Sequence, residues 1–352
     1  MMMSTDLIPP AHSSVNEAED PQYVRELWFE DGSIVIKAGN SLYRVYRGAL
    51  SNHSPVFRDM LAFPQPLGSD SGLVDGYPFV ELPDPDVEVT PFLKAVFEPE
   101  YFMPFPAHTT FGAVVGCLHL GNKYGVDFLR ARALNHLSSG YPTTLSGFDL
   151  LNHYRPDITA SALEEQSWES PNDATFTLRA IQLARVVDAP WILPAAFYAL
   201  SSNFNRVGLV AFHGVLYNGV EIKLTMQEQR SFLQGYNVQR NGTVADALRF
   251  LFDPENIPGC KHPPQCVVER WKGLEYIREF IRSHPADPLL TWEWSDWKQL
   301  HGMCSKCLKT LKEIHQDARQ AFWNQLPETY GLPSWDVLEH LKKDALGPNL
   351  TH

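Results

Sequence analysis

The chain has 352 residues, of which 44% are hydrophobic and 12% aromatic, and it carries a formal net charge of −12. That is enough apolar material for a sizeable core, and it excludes a disordered or fibrous chain. The acidic balance and the lack of any basic run argue against broad phosphate binding, and no apolar stretch reaches the roughly 18 residues that span a bilayer.

Residues 1–22 are polar and turn acidic towards their end. They lack the basic start and apolar centre of a secretory signal and read as a mobile tail. The alternation of Ile34 and Ile36 against Ser33, Val35 and Lys37 predicts a strand. Tyr43 and Val45 against Arg44 and Tyr46 predict another, with Gly39-Asn40 turning between them as a β-hairpin. The period then changes. Leu50, Phe57, Met60 and Leu61 fall at helical spacing with Ala49, His53 and Val56 alongside, which makes His53 a hydrogen-bonded core histidine. Ser54-Pro55 resets that helix, serine as a cap and proline at a position with no amide to leave unpaired.

The Pro-, Gly- and Asp-rich stretch from Phe63 to Tyr77 is a surface loop. A third strand is expected at 78–82, closed by Pro83-Asp84-Pro85, and a helix over 86–98 that starts near Thr90-Pro91. A helix over 111–124 contains Gly112, Gly116 and Gly121, each costing about 1 kcal/mol relative to alanine, so close helix–helix contact is the expected compensation. Cys117 sits mid-helix there as a small buried hydrophobe. A further helix spans 126–137. Residues 142–173, punctuated by proline and glycine and acidified by Glu164, Glu165 and Glu169, read as a linker. Beyond it, apolar stripes predict helices over 174–188, 191–201, 266–282 and 307–326. Thr225 and Glu228 have the spacing of a capping box, and 346–352 read as a tail. The fold class is therefore α+β: a small sheet with helices over 23–141, then an all-helical region over 174–345.

Four strings, F-E-D-G-S-I-V-I (29–36), L-Y-R-V-Y-R-G-A-L (42–50), S-P-V-F-R-D-M-L (54–61) and V-E-L-P-D (80–84), follow one another in order. Together they resemble the opening of a BTB/POZ domain, in the form found in fungal BTB proteins. A-R-Q-A-F-W-N-Q-L-P-E-T-Y-G-L-P-S-W (318–335) is similar to the C-terminal region of the same group. The resemblance implies a non-enzymatic, intracellular interaction scaffold of the cytoplasm or nucleus, binding other proteins or itself as a homodimer. It also implies that Asp31 and Arg47 line a charged partner-binding groove, with Tyr46 where the family often has histidine. Phe63-Pro64-Gln65 stands where some members carry an apolar-x-Glu motif for a cullin, with glutamine in place of the acid, and Phe63 is the contact that would remain. A ubiquitin-ligase adaptor and a nuclear transcriptional or chromatin regulator are the alternative roles within that reading.

The sharpest chemical pattern is Cys260 and Cys266, six positions apart, followed by Cys304 and Cys307 in a Cys-x2-Cys pair. Thiolates from two loop knuckles can complete a tetrahedral zinc site, stiffened by Pro258-Gly259 and Pro263-Pro264, with His262 and His301 as spare ligands. The alternative is four reduced thiols without a metal, since five cysteines and no secretory signal fit a reducing compartment. With four protein ligands the metal would have no open position for substrate, so its role would be structural. Trp292, Trp294 and Trp297 beside the second pair are expected to pack against helices. No nucleophile elbow, phosphate loop, dinucleotide fingerprint or zinc-protease motif occurs, and no catalytic residue is nominated.

Overall fold

In the computed structural model, which describes residues 20–62, 73–152, 174–202, 211–240, 247–252, 257–283 and 287–347, the first element is an edge strand, β1 (Gln22–Trp28). The expected hairpin follows as β2 (Ile34–Ala38) and β3 (Ser41–Val45). They pair antiparallel from Ile34↔Val45 to Ala38↔Ser41, and Gly39 at φ 54° makes the turn. A short β4 (Leu73–Val74) and β5 (Tyr77–Leu82) complete a five-stranded sheet of order β1-β3-β2-β5-β4. β5 runs parallel to β2, and β1 parallel to β3. Ile34, Ile36, Ala38, Tyr43 and Val45 face the helices, as the alternation requires. The opposite face is not a solvent face. Val35 and Leu42 are buried on it, and the Arg44 guanidinium lies 3.7 Å over the Tyr77 ring.

The broken apolar helix is the pair α1 (Arg47–His53) and α2 (Pro55–Ala62). Ser54 Oγ accepts from the Phe57 amide at 2.9 Å, so the break is a capped restart. His53 corrects one expectation. It is exposed at the end of α1, where the chain leaves the helical path at Ser54, with its ring 5.3 Å from Phe128.

Three helices back the sheet: α3 (Asp86–Phe97), α4 (Phe111–Tyr124) and α5 (Asp127–Ser139). α3 begins four residues before the expected Thr90, with Pro85 as its N-cap and Asp86 and Glu88 in the first turn, where carboxylates suit the helix dipole. Pro91 is accommodated inside it. The close approach expected of the α4 glycines occurs at two of three. A Cβ on Gly116 would lie 2.6 Å from the Glu88 carbonyl oxygen and 2.9 Å from Pro91 Cγ, and one on Gly121 would lie 3.0 Å from the Arg130 amide. At Gly112 it would meet only Thr110 Oγ1 at 4.0 Å. Gly116→Ala is therefore expected to destabilise the chain by about 1–3 kcal/mol, and Gly112→Ala to stabilise it by up to about 1 kcal/mol. Equal effects in urea denaturation would contradict the close contact.

Within 142–173, residues Leu145–Asn152 form a helix, α6. Leu145 is buried and Phe148 packs 5.3 Å from Trp323. Then come α7 (Ala174–Val186), a single 3₁₀ turn at Pro190–Ile192 and α8 (Leu193–Ser202). Asp188 at φ 55° ends α7.

The expectation that 174–345 is all helical is corrected by a hairpin, β6 (Val215–Tyr217) and β7 (Val220–Ile222). Asn218 at φ 49° and Gly219 at φ 80° form its turn, and Tyr217 packs on Phe111 and Phe176. The remaining helices are α9 (Met226–Val238), α10 (Arg249–Phe252), α11 (Pro263–Ser283), α12 (Trp294–Trp297), α13 (Ser305–Thr329) and α14 (Trp335–Leu346). α9 opens on the full Thr225–Glu228 capping box. Among the described residues no helix is long and apolar enough to cross a membrane.

One apolar core runs from Leu27 to Leu338 and takes residues from both sides of α6. Trp191 Nε1 donates to Ser138 Oγ at 3.0 Å and Trp323 Nε1 to the Thr143 carbonyl at 3.3 Å, while Arg319 clasps the Asp149 carboxylate. A second, smaller cluster lies apart and is built from Leu248, Phe250, Leu251, Ile277, Trp292, Leu300, Met303 and Leu311 together with Cys266 and Cys307. α13 joins the two, contributing Leu311 to the small cluster and Trp323 and Leu326 to the main core.

Candidate metal centre

The small cluster is organised by two knuckles. In the first, Gly259 at φ 82° lets the chain reverse so that the Cys260 amide bonds the Ile257 carbonyl at 3.0 Å. Pro263 and Pro264 then open α11 in its first turn, where their missing amides leave nothing unpaired. Cys266 follows one turn in, which accounts for a spacing wider than that of a simple knuckle. The second knuckle is the start of α13. Cys304 is its N-cap, with extended backbone, and Cys307 lies three residues on.

The four sulfurs all lie within 4.8 Å of one another. Cys260 Sγ and Cys304 Sγ are 3.9 Å apart, and the Cys304 amide donates to Cys266 Sγ at 3.4 Å. A zinc–sulfur bond of about 2.3 Å implies a tetrahedron edge of about 3.8 Å. A disulfide needs about 2.05 Å. The spacing fits thiolates around an ion and not a pair of cystines.

The electrostatics agree. Both knuckles direct a helix N-terminus at the sulfurs, the end that favours negative charge. The Lys261 and Cys307 amides hydrogen-bond to Cys304 and lower its thiol pKa to about 6. Burial raises the Cys307 and Cys266 thiols above their ordinary value. A divalent cation would reverse that second effect, since coordination draws the proton from each thiol.

Support comes from outside the ligand set. Glu269, 4% exposed, accepts from the Gly302 amide at 3.2 Å and pairs with Lys272 at 2.6 Å, which holds the loop ahead of Cys304. The histidines proposed as spare ligands are not among the four groups that meet. His262 is exposed, and His301 is exposed with Nδ1 3.2 Å from the Lys298 carbonyl oxygen.

Trp292 and Trp297 pack as expected, 5.0 Å apart, with Phe250 5.0 Å from Trp292. Trp294 does not. It is 75% exposed, with Lys298 Nζ 4.9 Å over its ring. His315 was not foreseen. It accepts the Trp292 amide at Nε2, 3.3 Å away, and its Nδ1 donates to the Ala247 carbonyl at 2.8 Å, so the ring is neutral. Burial lowers its pKa to about 4.

The two groove residues that the resemblance names flank the hairpin, Asp31 ahead of β2 and Arg47 at the start of α1, and both are exposed. Asp31 accepts from Tyr46 Oη at 2.6 Å, and Arg47 donates its side chain to the Leu61 carbonyl at 2.5 Å. Each is tied to a local partner, Asp31 across the strands and Arg47 across α2. Phe63, Pro64 and Gln65 lie outside the described residues. Cys117 is fully buried, as read from the sequence, and its thiol pKa is raised by burial.

No protein-family model, no curated protein and no solved structure matches the chain.

Proposed function

We propose that the chain is a non-catalytic protein-interaction scaffold of the BTB/POZ type, with a structural zinc ion in its smaller unit. One observation carries the first half. A hairpin, a helix pair broken at Ser54-Pro55, a strand parallel to β2 and then α3, α4 and α5 follow one another in the order the sequence resemblance implies. The zinc half rests on the four sulfurs, because soft thiolates in tetrahedral spacing suit zinc rather than calcium or magnesium. Four protein ligands leave no coordination site for a substrate, so the ion holds structure.

Beside the exposed Asp31 and Arg47, the surface that supports partner binding is β1. It ends the sheet, and Gln22, Tyr23, Arg25 and Glu26 on it are exposed. An edge strand of this kind takes a second strand through main-chain hydrogen bonds. At tens of micromolar, light scattering after size exclusion is expected to give the mass of two chains. Arg25→Pro, which places a proline in the middle of β1, is expected to return it to one. A wild-type chain that stays single and captures no protein partner would overturn the scaffold reading.

A further inference from the structure

The four cysteines are not equivalent. Cys266 and Cys307 are buried, whereas Cys260 and Cys304 are each partly open to solvent. The sulfurs of these two residues are 3.9 Å apart, and they belong to different knuckles, 44 residues apart in the chain. Solvent-borne oxidants therefore meet a thiolate with a second one already beside it, the arrangement found where cysteine oxidation is reversible.

We infer that Cys260 and Cys304 are an oxidation site for hydrogen peroxide, and that forming their disulfide discharges the metal. The inference rests on the zinc reading above. One thiolate attacks the peroxide O–O bond, becomes a sulfenic acid and releases hydroxide, which leaves as water once protonated. The second thiolate displaces the sulfenic hydroxyl, the S–S bond forms, and a second water departs. Two electrons pass from sulfur to peroxide, and the peroxide and two protons become two waters. Only Cys266 and Cys307 then remain as ligands. They take up two further protons as the divalent ion leaves, so four protons are consumed in all. The zinc itself is not oxidised or reduced.

Metal loss acts on a particular part of the fold. Cys266 and Cys307 belong to the small apolar cluster, and Cys260 and Cys304 pack against it, so discharge releases Cys266 of α11 from Cys307 of α13 and leaves the Cys260–Cys304 disulfide as the link between the two knuckles. The main core has no cysteine from this set. Oxidation should therefore loosen the small unit alone.

The test uses the full-length, zinc-loaded chain, titrated with hydrogen peroxide in the presence of a chromophoric zinc indicator. The remaining thiols are then alkylated and the peptides mapped by mass spectrometry. The expected result is complete loss of the ion, one zinc freed per disulfide formed. Cys260 should be linked to Cys304, Cys266 and Cys307 should be alkylated, and zinc should be recovered on adding a thiol reductant. Cys117→Ala is expected to leave the titration unchanged, since Cys117 is fully buried elsewhere. Zinc retained while peroxide is consumed, or a disulfide that joins any other pair, overturns the inference and leaves the zinc reading standing. A chain that holds no zinc before peroxide is added overturns both.

Discussion

Stripping zinc with a chelator is expected to unfold the smaller unit and leave the main core folded. The reason is the size of what remains. Among the described residues the small cluster has ten buried apolar residues, and two of them, Cys266 and Cys307, are themselves proposed ligands. A core that small does not hold a fold without a staple, and a structural zinc supplies on the order of 10–16 kcal/mol in isolated zinc-binding units. The chain leading into the small cluster is held to the main core at Leu289: Tyr198 Oη accepts from the Leu289 amide at 3.1 Å, and Arg319 Nε donates to the Leu289 carbonyl at 3.0 Å. Hydrogen exchange read peptide by peptide gives the test. Amides of α11 and the first turns of α13 should exchange faster by on the order of a hundredfold once the ion is gone, while those of α4, α5 and α8 stay unchanged. Cys307→Ser should reproduce the effect without chelator. Identical protection with and without zinc would mean that packing alone holds the unit.

The parts legible in the sequence were those where local and tertiary forces agree. The hairpin at Ile34–Val45 shows in its alternation because one face is core and the turn needs Gly39. α4 was read residue for residue, since Thr110 caps it and Gly125 at φ 66° ends it. The four cysteines were readable because zinc chemistry restricts ligand type and spacing more tightly than packing does. β1 was missed because it is an exposed edge of Gln, Arg and Glu, with little apolar alternation to mark it. The β6–β7 hairpin was missed despite its Asn218-Gly219 turn, because three-residue strands carry too little pattern beside long helical stripes. α14 was missed as well, although Ser334 and the apolar Trp335, Leu338 and Leu346 were available to mark it. Glu269 and His315 could not be assigned from spacing. What selects them is the loop and the backbone groups they meet, and those are brought together only by the fold.

The same limit hides the contact with the second-largest expected effect. Glu88 on α3 and Arg179 on α7 are 2% and 3% exposed, and they form an ion pair between residues 91 positions apart. The second carboxylate oxygen of Glu88 takes His119 Nδ1 at 2.6 Å, and Arg179 also donates to Gln182. Neither residue stands out in the sequence, where each is one charge among many on a helix. Burying two charges gains little over an apolar pair of the same shape, but removing one strands the other in the core at about 3–5 kcal/mol. Arg179→Met is therefore expected to destabilise the chain by that amount in urea, a large share of the 5–15 kcal/mol typical of a folded protein. Glu88→Met should cost about as much, since it leaves the guanidinium without its carboxylate. In the double substitution His119, whose side chain is 28% exposed, can turn to water. Part of the second loss should then be recovered, so the double variant should fall short of the sum of the two single losses by a coupling energy of about 2–3 kcal/mol in a double-mutant cycle. Additive losses would mean that the two side chains act independently and that α3 and α7 are held together by their apolar faces alone.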